Sequence, residues 1–272
     1  MSVQILNGDC RDVLKTLPDQ SVNCVVTSPP YFWLRDYGVD SQIGHESDLD
    51  SFVDVIAGVF DEVKRILRSD GVVWLNLGDS YYSGNGQSTG TDPRSPSRNF
   101  SRTKLRPLDV SGWSIPKKSL CGVPWRVALE MQKRGWTLRS DVIWCRPTAL
   151  AEPSVKDRPG RQHEYLFLFS KSRRYFFDKS KLNEDSVWHI SHQRGLDGHS
   201  AAFPPELVEQ CLLSGCPEGG DVLDPFGGAG TTGLVADRLQ RNAVLIELNP
   251  EYAEFARRRI YGEAPLFAGS AA

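Results

Sequence analysis

The chain has 272 residues, of which 40% are hydrophobic and 24% charged, and this composition fits one large α/β domain or one domain with a sizeable insertion. The formal net charge of −2 at pH 7 excludes a global basic field, so a nucleic-acid site would have to come from local clusters of cations. Six scattered cysteines without a CxxC pair argue against a zinc site or a disulfide framework, and no metal site is predicted. No stretch approaches the ~20 apolar residues of a transmembrane helix, which predicts a cytoplasmic protein without membrane contact.

The first part of the chain alternates between strand-like and helix-like segments. Residues 50–67 carry apolar side chains at helical spacing, whereas 22–27 and 72–77 are short, β-branched and apolar. Strands that alternate with helices at this spacing predict a parallel sheet with helices on both faces. The predicted elements here are a strand over 3–6, a helix over 10–17, a strand over 22–27, a helix over 50–67 and a strand over 72–77.

The second predicted strand runs into Thr27-Ser28-Pro29-Pro30-Tyr31. Two prolines cannot continue a strand because they lack N–H donors and fix φ, so the chain must leave the sheet at Ser28. Ligands of open α/β sheets bind just outside the carboxyl ends of strands. We therefore expect the Ser28 hydroxyl and the Pro29 carbonyl to face a pocket as hydrogen-bond acceptors, with Tyr31 as a stacking surface. This combination suits the amino group of a planar base.

Residues 83–119 interrupt the alternation of strands and helices. Glycine, serine and threonine dominate the first part, and basic residues outnumber acidic ones in the rest. A loop this long inside a compact domain is usually functional or disordered, and its cations suit phosphates and guanine edges. A solvated flexible loop is the alternative interpretation. The candidate nucleic-acid-binding residues, one of which follows the proline segment, are Arg35, Arg94, Arg98, Arg102, Lys104, Arg106, Lys117 and Lys118.

The remainder of the chain returns to an alternating pattern, which extends the predicted α/β fold. The predicted elements are a helix over 124–133, strands over 136–144 and 165–169, a helix over 206–213, a strand over 221–223, a helix that ends near 239, a strand over 243–248 and a helix over 251–260. Residues 263–272 are expected to form a flexible tail.

Gly228, Gly230 and Gly233 form a GxGxxG pattern between a predicted strand and the next helix. Glycine lets a ligand approach the backbone, but the pattern alone also fits an ordinary tight turn or a dinucleotide fold. Asp224 lies just ahead, where a carboxylate would repel a pyrophosphate but could hold an ammonium group. Glu247 ends the next strand and is placed to accept both hydroxyls of a ribose. A ligand with a ribose, a cation and no phosphate fits better than NAD, and S-adenosylmethionine is such a ligand.

The segment Asp224-Pro225-Phe226-Gly227-Gly228-Ala229-Gly230-Thr231-Thr232, together with the proline segment, resembles the two motifs of the DNA amino-methyltransferases, the N4-cytosine/N6-adenine family. The catalytic motif precedes the cofactor motif, which is similar to the circularly permuted β-class order. The resemblance covers roughly residues 3–82, 120–179 and 199–260. It implies a Rossmann-like class I methyltransferase fold, with a seven-stranded, mostly parallel sheet, one antiparallel strand near 165–169, helices on both faces and inserted recognition loops.

The resemblance also implies the domain organisation and the site residues. It predicts one methyltransferase domain over 1–262, with 83–119 as the candidate DNA-recognition insertion. Ser28, Pro29, Pro30 and Tyr31 form the implied catalytic set. S-adenosylmethionine is the implied cofactor, with its adenosine side on Asp9, its ribose on Glu247 and the segment from His199 closing over its methionine part. The implied cofactor-binding residues are Asp9, His199, Phe203, Asp224, Pro225, Phe226, Gly227, Gly228, Gly230, Thr231, Thr232, Glu247 and Asn249.

The implied reaction methylates the exocyclic amino group of a base that has been flipped out of double-stranded DNA. The acceptors at Ser28 and Pro29 would bind the two amino hydrogens and free the nitrogen lone pair for in-line attack, so orientation and electrostatics carry the catalysis. Serine at position 28 is commoner in the N4-cytosine enzymes of the family. N4-cytosine is therefore slightly favoured, and N6-adenine is the close alternative.

Several other interpretations stay open at this point. The glycine turn also fits an NAD-type oxidoreductase, and the chain could be a DNA-binding module without catalysis. An RNA or a protein amide could replace DNA as the methyl acceptor, although the basic insertion favours nucleic acid over protein. The pattern leaves open a homodimer, and it does not decide between an orphan enzyme and one with a cognate restriction endonuclease.

Overall fold

The computed structural model describes residues 1–34, 39, 41–82, 91–92, 95–99, 114–146, 156–182, 185–191 and 203–262, and for 91–92 and 95–99 it describes the backbone alone. The helices are α1 (Cys10–Thr16), α2 (Leu49–Ile66), α3 (Val123–Lys133), α4 (Pro205–Gly215), α5 (Thr231–Arg238) and α6 (Pro250–Gly262). The strands are β1 (Val3–Asn7), β2 (Val22–Thr27), β3 (Leu67–Leu77), β4 (Thr91–Asp92), β5 (Ser95–Asn99), β6 (Thr137–Cys145), β7 (His163–Ser170), β8 (Val187–His189), β9 (Asp221–Asp224) and β10 (Asn242–Glu247).

Eight of the described strands form one sheet in the order β1-β10-β9-β2-β3-β7-β6-β8. Neighbours from β1 to β3 are parallel, and β7 lies antiparallel between β3 and β6. The predicted α/β fold, mostly parallel sheet and antiparallel strand near 165–169 are confirmed. The sheet has one strand more than the seven expected, because β8 adds a three-residue parallel edge to β6 that is too short to show an alternating pattern.

Alternate residues of the central strands point to opposite faces of the sheet, and helices cover both faces. Val25 and Val73 belong to the core cluster shared with α1, α2 and α3. Cys24 and Trp74, one position away in each strand, belong to the cluster shared with α4, α5 and α6. This two-sided burial explains why β2 and β3 read as continuous apolar runs, and it confirms the expected helices on both faces.

The two ends of the 83–119 insertion lie side by side. The Tyr82 amide donates to the Ser119 carbonyl at 2.9 Å, and the Lys118 amide donates to the Tyr82 carbonyl at 2.7 Å. The chain therefore leaves the domain and returns to it at one short antiparallel stem. Within the insertion, the structure describes the backbone of the β4–β5 pair and residues 114–119.

In the described part of the chain, every helix is too short or too polar to cross a membrane. Among the same residues, no cluster of three or more His, Cys, Asp or Glu side chains is arranged to hold a metal ion. The tail expected over 263–272 lies outside the described residues.

Candidate active site

Both sequence motifs lie at the end of the sheet where its parallel strands have their carboxyl ends, here called the catalytic end. The strands β2 and β9 are direct neighbours, with Val25 opposite Leu223. Ser28 and Asp224 therefore sit at adjacent strand ends. Because β7 is antiparallel, it begins rather than ends here, which brings Glu164 beside the end of β3.

Asp224 joins the catalytic segment to the glycine turn. Its Oδ1 accepts hydrogen bonds from the Thr27 hydroxyl (2.6 Å) and the Phe226 amide (3.0 Å), and its Oδ2 accepts one from the Thr232 hydroxyl (2.7 Å). Asp224 is 2% exposed, and both threonines are fully buried. Burial raises the pKa of Asp224 above its ordinary value, while the three hydrogen bonds act in the opposite direction. The carboxylate that could hold an ammonium group is thus already bound by donors of the protein itself.

Glu247 closes the glycine turn from the neighbouring strand β10. Its Oε2 accepts the Gly228 amide and its Oε1 accepts the Asn249 amide, each at 2.8 Å. Burial raises the pKa of Glu247, and hydrogen bonds from the Asn249 and Gly228 amides oppose that rise. A carboxylate oxygen can accept more than one hydrogen bond, so this side chain still has capacity for two ligand hydroxyls.

The glycines of the turn have different surroundings. A Cβ at Gly227 would lie 2.9 Å from Leu245 Cβ, and one at Gly230 would lie 2.9 Å from Ala256 Cβ. These two glycines are therefore required by packing against β10 and α6. Gly228 has a φ of +51°, and a Cβ there would meet no atom beyond its chain neighbours closer than 3.8 Å. Gly228 marks the open side of the turn, where a ligand can approach the backbone.

The Tyr31 side chain is restrained at its hydroxyl and at its ring. The hydroxyl donates to Glu164 Oε2 at 2.7 Å. The ring lies so close to Gly78 that a Cβ there would be 2.6 Å from Tyr31 Cε2. Burial raises the pKa of Tyr31 well above its ordinary value, and the Glu164 carboxylate adds to that rise. Tyr31 is therefore a neutral, fixed, flat side chain three residues from Ser28.

The two aromatic residues after Tyr31 belong to the core. Phe32 packs on Phe52 with ring centroids 5.2 Å apart, and Trp33 stacks on His45 at 4.5 Å. Both Phe32 and Trp33 are buried. Of these three consecutive aromatic residues, Tyr31 is the one that remains a candidate stacking surface for a base.

The sequence of the chain is similar to those of known proteins. Residues 22–258 match the model of a family described as DNA methylase. The chain belongs to this DNA methylase family. It is similar to the type II methyltransferase M.Cfr9I of Citrobacter freundii, with 43% identity over 269 residues, which cover 95% of this chain and 88% of M.Cfr9I. The family resemblance and the enzyme class predicted from the two motifs, a DNA methyltransferase, are confirmed.

Solved structures share the fold of the methylase. The PvuII DNA methyltransferase, described as cytosine-N4-specific, has a TM-score of 0.74 at 23% identity and covers 100% of this chain and 89% of its own. At that identity the likeness concerns the fold alone. The Thermus thermophilus protein TTHA0409, solved in complex with S-adenosyl-L-methionine, has a TM-score of 0.63 at 27% identity and covers 98% of both chains.

Asp9 of the methylase, expected on the adenosine side of the cofactor, caps helix α1. Its Oδ1 accepts the Arg11 amide at 2.9 Å, and both of its oxygens pair with the Arg11 guanidinium. Burial opposes the ionisation of Asp9, but the bonds from Arg11 outweigh it and hold the pKa of Asp9 below its ordinary value. Asn249 has a similar role in α6, where its Oδ1 accepts the Glu251 amide at 2.8 Å.

Other cofactor candidates of the methylase make mostly internal contacts. The Thr231 hydroxyl accepts a 3.0 Å hydrogen bond from Arg259, and Pro225 is buried. Phe226 packs against the core cluster on the α1–α3 face, and Phe203 packs against the cluster on the α4–α6 face. These four residues shape the turn and its surroundings, and the open side at Gly228 is where direct ligand contact is expected.

Most of the predicted DNA contacts of the methylase lie outside the described residues. These are Arg35, Arg94, Arg102, Lys104 and Arg106, and the cofactor candidate His199 lies outside as well. For Arg98 the structure gives the backbone alone. Lys117 and Lys118 are exposed beside the stem of the insertion, and Lys118 pairs with Asp157 at 2.6 Å.

The structure adds three residues that the sequence patterns did not single out. Glu164 and Asn76 contact the Tyr31 hydroxyl, the Asn76 amide lies 3.2 Å from Glu164 Oε2, and the Arg146 guanidinium lies 2.9 Å from Glu164 Oε1. In the sequence, Glu164 is a carboxylate directly before the predicted strand over 165–169. It could be placed beside Tyr31 only with the knowledge that β7 is antiparallel to β3.

Asp79, which follows β3, orders the neighbouring side of the site. Its oxygens accept the Gly122 and Val123 amides at 3.1 Å, and Arg161 lies 3.6 Å from it. Burial, with the positive charges of Arg161 and Arg146, lowers the pKa of His163. The cationic side chains of Arg146 and Arg161 therefore lie on the β6–β7 side of the catalytic end of the sheet.

Proposed function

We propose that this methylase is a site-specific enzyme that moves a methyl group from S-adenosylmethionine to the exocyclic amino group of a flipped base in duplex DNA. The observation that carries the proposal is the pair of bonds from Thr27 and Thr232 to Asp224, because they hold Ser28 and the glycine turn at adjacent strand ends. A methyl donor on the turn and an amino group at Ser28 would share one pocket. Membership of the DNA methylase family supports DNA as the substrate.

The residues around the turn fit S-adenosylmethionine. The open side of Gly228 admits close approach to the backbone, and Glu247 keeps acceptor capacity for the two ribose hydroxyls. Asp9 adds a second carboxylate at the end of the neighbouring strand β1. When bound, the cofactor supplies an electrophilic methyl group on a positively charged sulfur. Negatively charged side chains attract this sulfur, whereas they would repel a pyrophosphate.

Ser28 and Pro29 act on the amino group of the base. The lone pair of an exocyclic amino nitrogen is delocalised into the ring, which makes it a poor nucleophile. When Ser28 Oγ and the Pro29 carbonyl accept its two hydrogens, the nitrogen moves toward a tetrahedral geometry and its lone pair can attack in line. The Tyr31 ring supports the base by stacking, and Pro30 fixes the turn between them. Forming the N–CH3 bond would break the bond between the methyl carbon and the sulfonium sulfur and leave a neutral thioether. The methylated nitrogen would then release one proton to solvent, so the amine product is neutral.

We favour N4 of cytosine as the target, with N6 of adenine as the second candidate. Ser28 provides the preference, because serine at this position is commoner in the N4-cytosine enzymes that the motif resembles. Both bases present two amino hydrogens to the same acceptors, so the chemistry at Ser28 and Pro29 is the same for either target. The choice therefore depends on how the rest of the pocket fits a pyrimidine or a purine.

Residues 83–119 are proposed to read the DNA sequence as an insertion in a single domain over 1–262. The paired stem supports this, since the insertion leaves and re-enters the domain at one place, where Lys117 and Lys118 are exposed. Arg35 would contact nucleotides that flank the target. The type II name of M.Cfr9I favours a restriction–modification setting in the cytoplasm with a cognate endonuclease.

Methyl transfer with labelled cofactor tests the proposal. Purified enzyme is incubated with unmethylated duplex DNA and methyl-tritiated S-adenosylmethionine. The DNA is then hydrolysed to nucleosides, which are separated by chromatography and identified by mass spectrometry. We expect N4-methylcytosine, and none with Ser28→Ala. N6-methyladenine would correct the target base, whereas label in C5-methylcytosine, or binding of NADH without S-adenosylmethionine in calorimetry, would overturn the proposal.

A further inference from the structure

Glu164 lies at the hydroxyl end of Tyr31. Its Oε2 accepts the Tyr31 hydroxyl at 2.7 Å and the Asn76 side-chain amide at 3.2 Å. The Glu164 side chain is 12% exposed, so these bonds are largely shielded from water and are stronger for it. Glu164 belongs to β7, outside both of the motifs that carry the family resemblance.

Arg146 completes the surroundings of this carboxylate. Its Nη1 lies 2.9 Å from Glu164 Oε1, the oxygen that does not bind Tyr31. The two opposite charges compensate each other where little water reaches them. Because an ionised carboxylate can only accept hydrogen bonds, the Tyr31 hydroxyl must be the donor, and its hydrogen is committed to Glu164.

These contacts restrain the Tyr31 ring at two points. Its hydroxyl is held by Glu164, and its Cε2 edge lies against Gly78. A second acceptor near the hydroxyl, Asn76 Oδ1, is 3.4 Å away and forms a weaker bond. A ring that is already fixed in place spares the entropy cost of ordering it when a base arrives.

We infer that Glu164 is a positioning residue that fixes the Tyr31 ring for the flipped base, and that Arg146 holds Glu164 in place. The inference rests on the proposed function, in which Tyr31 stacks on that base. Glu164 acts through the tyrosine hydroxyl, without contact to the base or the cofactor. Its removal should therefore slow methyl transfer and leave cofactor binding unchanged.

A double-mutant cycle tests this role with Tyr31→Phe, Glu164→Gln and the combined variant. Tyr31→Phe removes the donor of a charge-assisted hydrogen bond and Glu164→Gln removes the charge of its acceptor, so we expect each to lower the single-turnover rate of DNA methylation about tenfold or more. The double variant should match the slower single variant within about twofold, because both changes break the same interaction. The Kd for S-adenosylmethionine, measured by calorimetry, should stay at the wild-type value in all three.

Losses that multiply in the double variant would overturn the inference, since Glu164 would then act independently of the tyrosine. If Glu164→Gln does not fold, Glu164→Asp gives a second cycle, because it keeps a charge for Arg146 and withdraws the carboxylate from Tyr31. Glu130→Gln removes an α3 carboxylate that pairs at 3.2 Å with Arg134, the residue after this helix, and this control should keep the wild-type rate. A wild-type rate in Tyr31→Ala would instead refute the stacking role in the proposed function.

Discussion

The hydroxyl of Thr27 donates a 2.6 Å hydrogen bond to the carboxylate of Asp224, a residue 197 positions away in the chain. Thr27 directly precedes Ser28, and Asp224 directly precedes the turn that contains Gly228. Because both partners are buried, the bond is shielded from water, and its loss leaves Asp224 Oδ1 with the Phe226 amide as its described donor. The geometry of the amino-group acceptors therefore depends on the geometry of the cofactor turn.

Replacing Thr27 by valine removes this donor and keeps the shape of the side chain. We expect the free energy of unfolding to fall by about 1–3 kcal/mol, because a buried carboxylate oxygen loses a partner. The methylation rate should fall too, since Ser28 is no longer tied to the turn. Urea unfolding and single-turnover kinetics measure the two effects. Thr16→Val is the control, because that exposed hydroxyl donates to the Val13 carbonyl within α1; equal behaviour of the two variants would refute the coupling.

Substitutions at two glycines of the turn should differ in whether they lower stability or weaken cofactor binding. Gly230→Ala places a Cβ 2.9 Å from Ala256 Cβ in a left-handed conformation, so we expect a lower melting temperature. Gly228→Ala adds its Cβ to open space, so it should lower the melting temperature less and weaken S-adenosylmethionine binding more. Thermal unfolding without ligand and calorimetry with ligand distinguish the two outcomes. Unchanged affinity in Gly228→Ala would place the cofactor elsewhere.

Cofactor binding should depend on pH through Glu247. Burial raises the pKa of Glu247 above its ordinary 4.5, and the ionised carboxylate is the form that accepts the ribose hydroxyls. As the pH falls through that raised pKa, protonation turns an acceptor into a donor, so affinity should begin to weaken above pH 4.5. Glu247→Gln should bind about tenfold more weakly at neutral pH and lose this part of the profile.

Calorimetry from about pH 5 to pH 8 measures the effect. Glu62→Gln, which removes an α2 carboxylate paired with Arg65 at 3.0 Å, should follow the wild-type curve. A Glu247→Gln variant with the wild-type pH profile would show that another group titrates.

The stem lysines should contribute to DNA binding through phosphate contacts. We expect Lys117→Ala to reduce the slope of log Kd against log salt by about 1, the amount for one lost phosphate contact. Lys118→Ala should change the slope less, because Asp157 at 2.6 Å already offsets that charge. Fluorescence anisotropy with labelled duplex DNA at several salt concentrations gives the slopes. Lys15→Ala, an exposed lysine of α1, is the control, and an equal change there would contradict a role of the stem in DNA binding.

Local pattern was enough to predict much of the fold. The strand predicted over 22–27 is β2 to the residue, because an apolar run bounded by prolines has few alternatives. Ser69-Asp70-Gly71 predicted a break after α2, but β3 begins at Leu67 and bulges past this point. Gly71 makes that possible, since a Cβ there would lie 2.9 Å from the Asn23 carbonyl oxygen.

The candidate site divides in the same way. The places of Ser28 after a strand and of Gly228 in a turn could be predicted, because proline and glycine impose backbone constraints that can be recognised in a short segment. Glu164 and Arg146 could not, because their position beside Tyr31 depends on the antiparallel direction of β7 and the pairing of β6 with it. Long-range bonds such as Thr27 to Asp224 depend on strand order, which a local pattern does not encode.

The most direct test of amino-group methylation is base-resolution modification sequencing of DNA from a host without its own amino-methylation. The host expresses either the wild-type chain or Ser28→Ala, and folded protein is verified in both. We expect one short motif to carry N4-methylcytosine in the wild-type sample and to be unmodified with Ser28→Ala. Unmodified DNA in the presence of folded wild-type protein, or equal modification by Ser28→Ala, would contradict the assignment of this pocket.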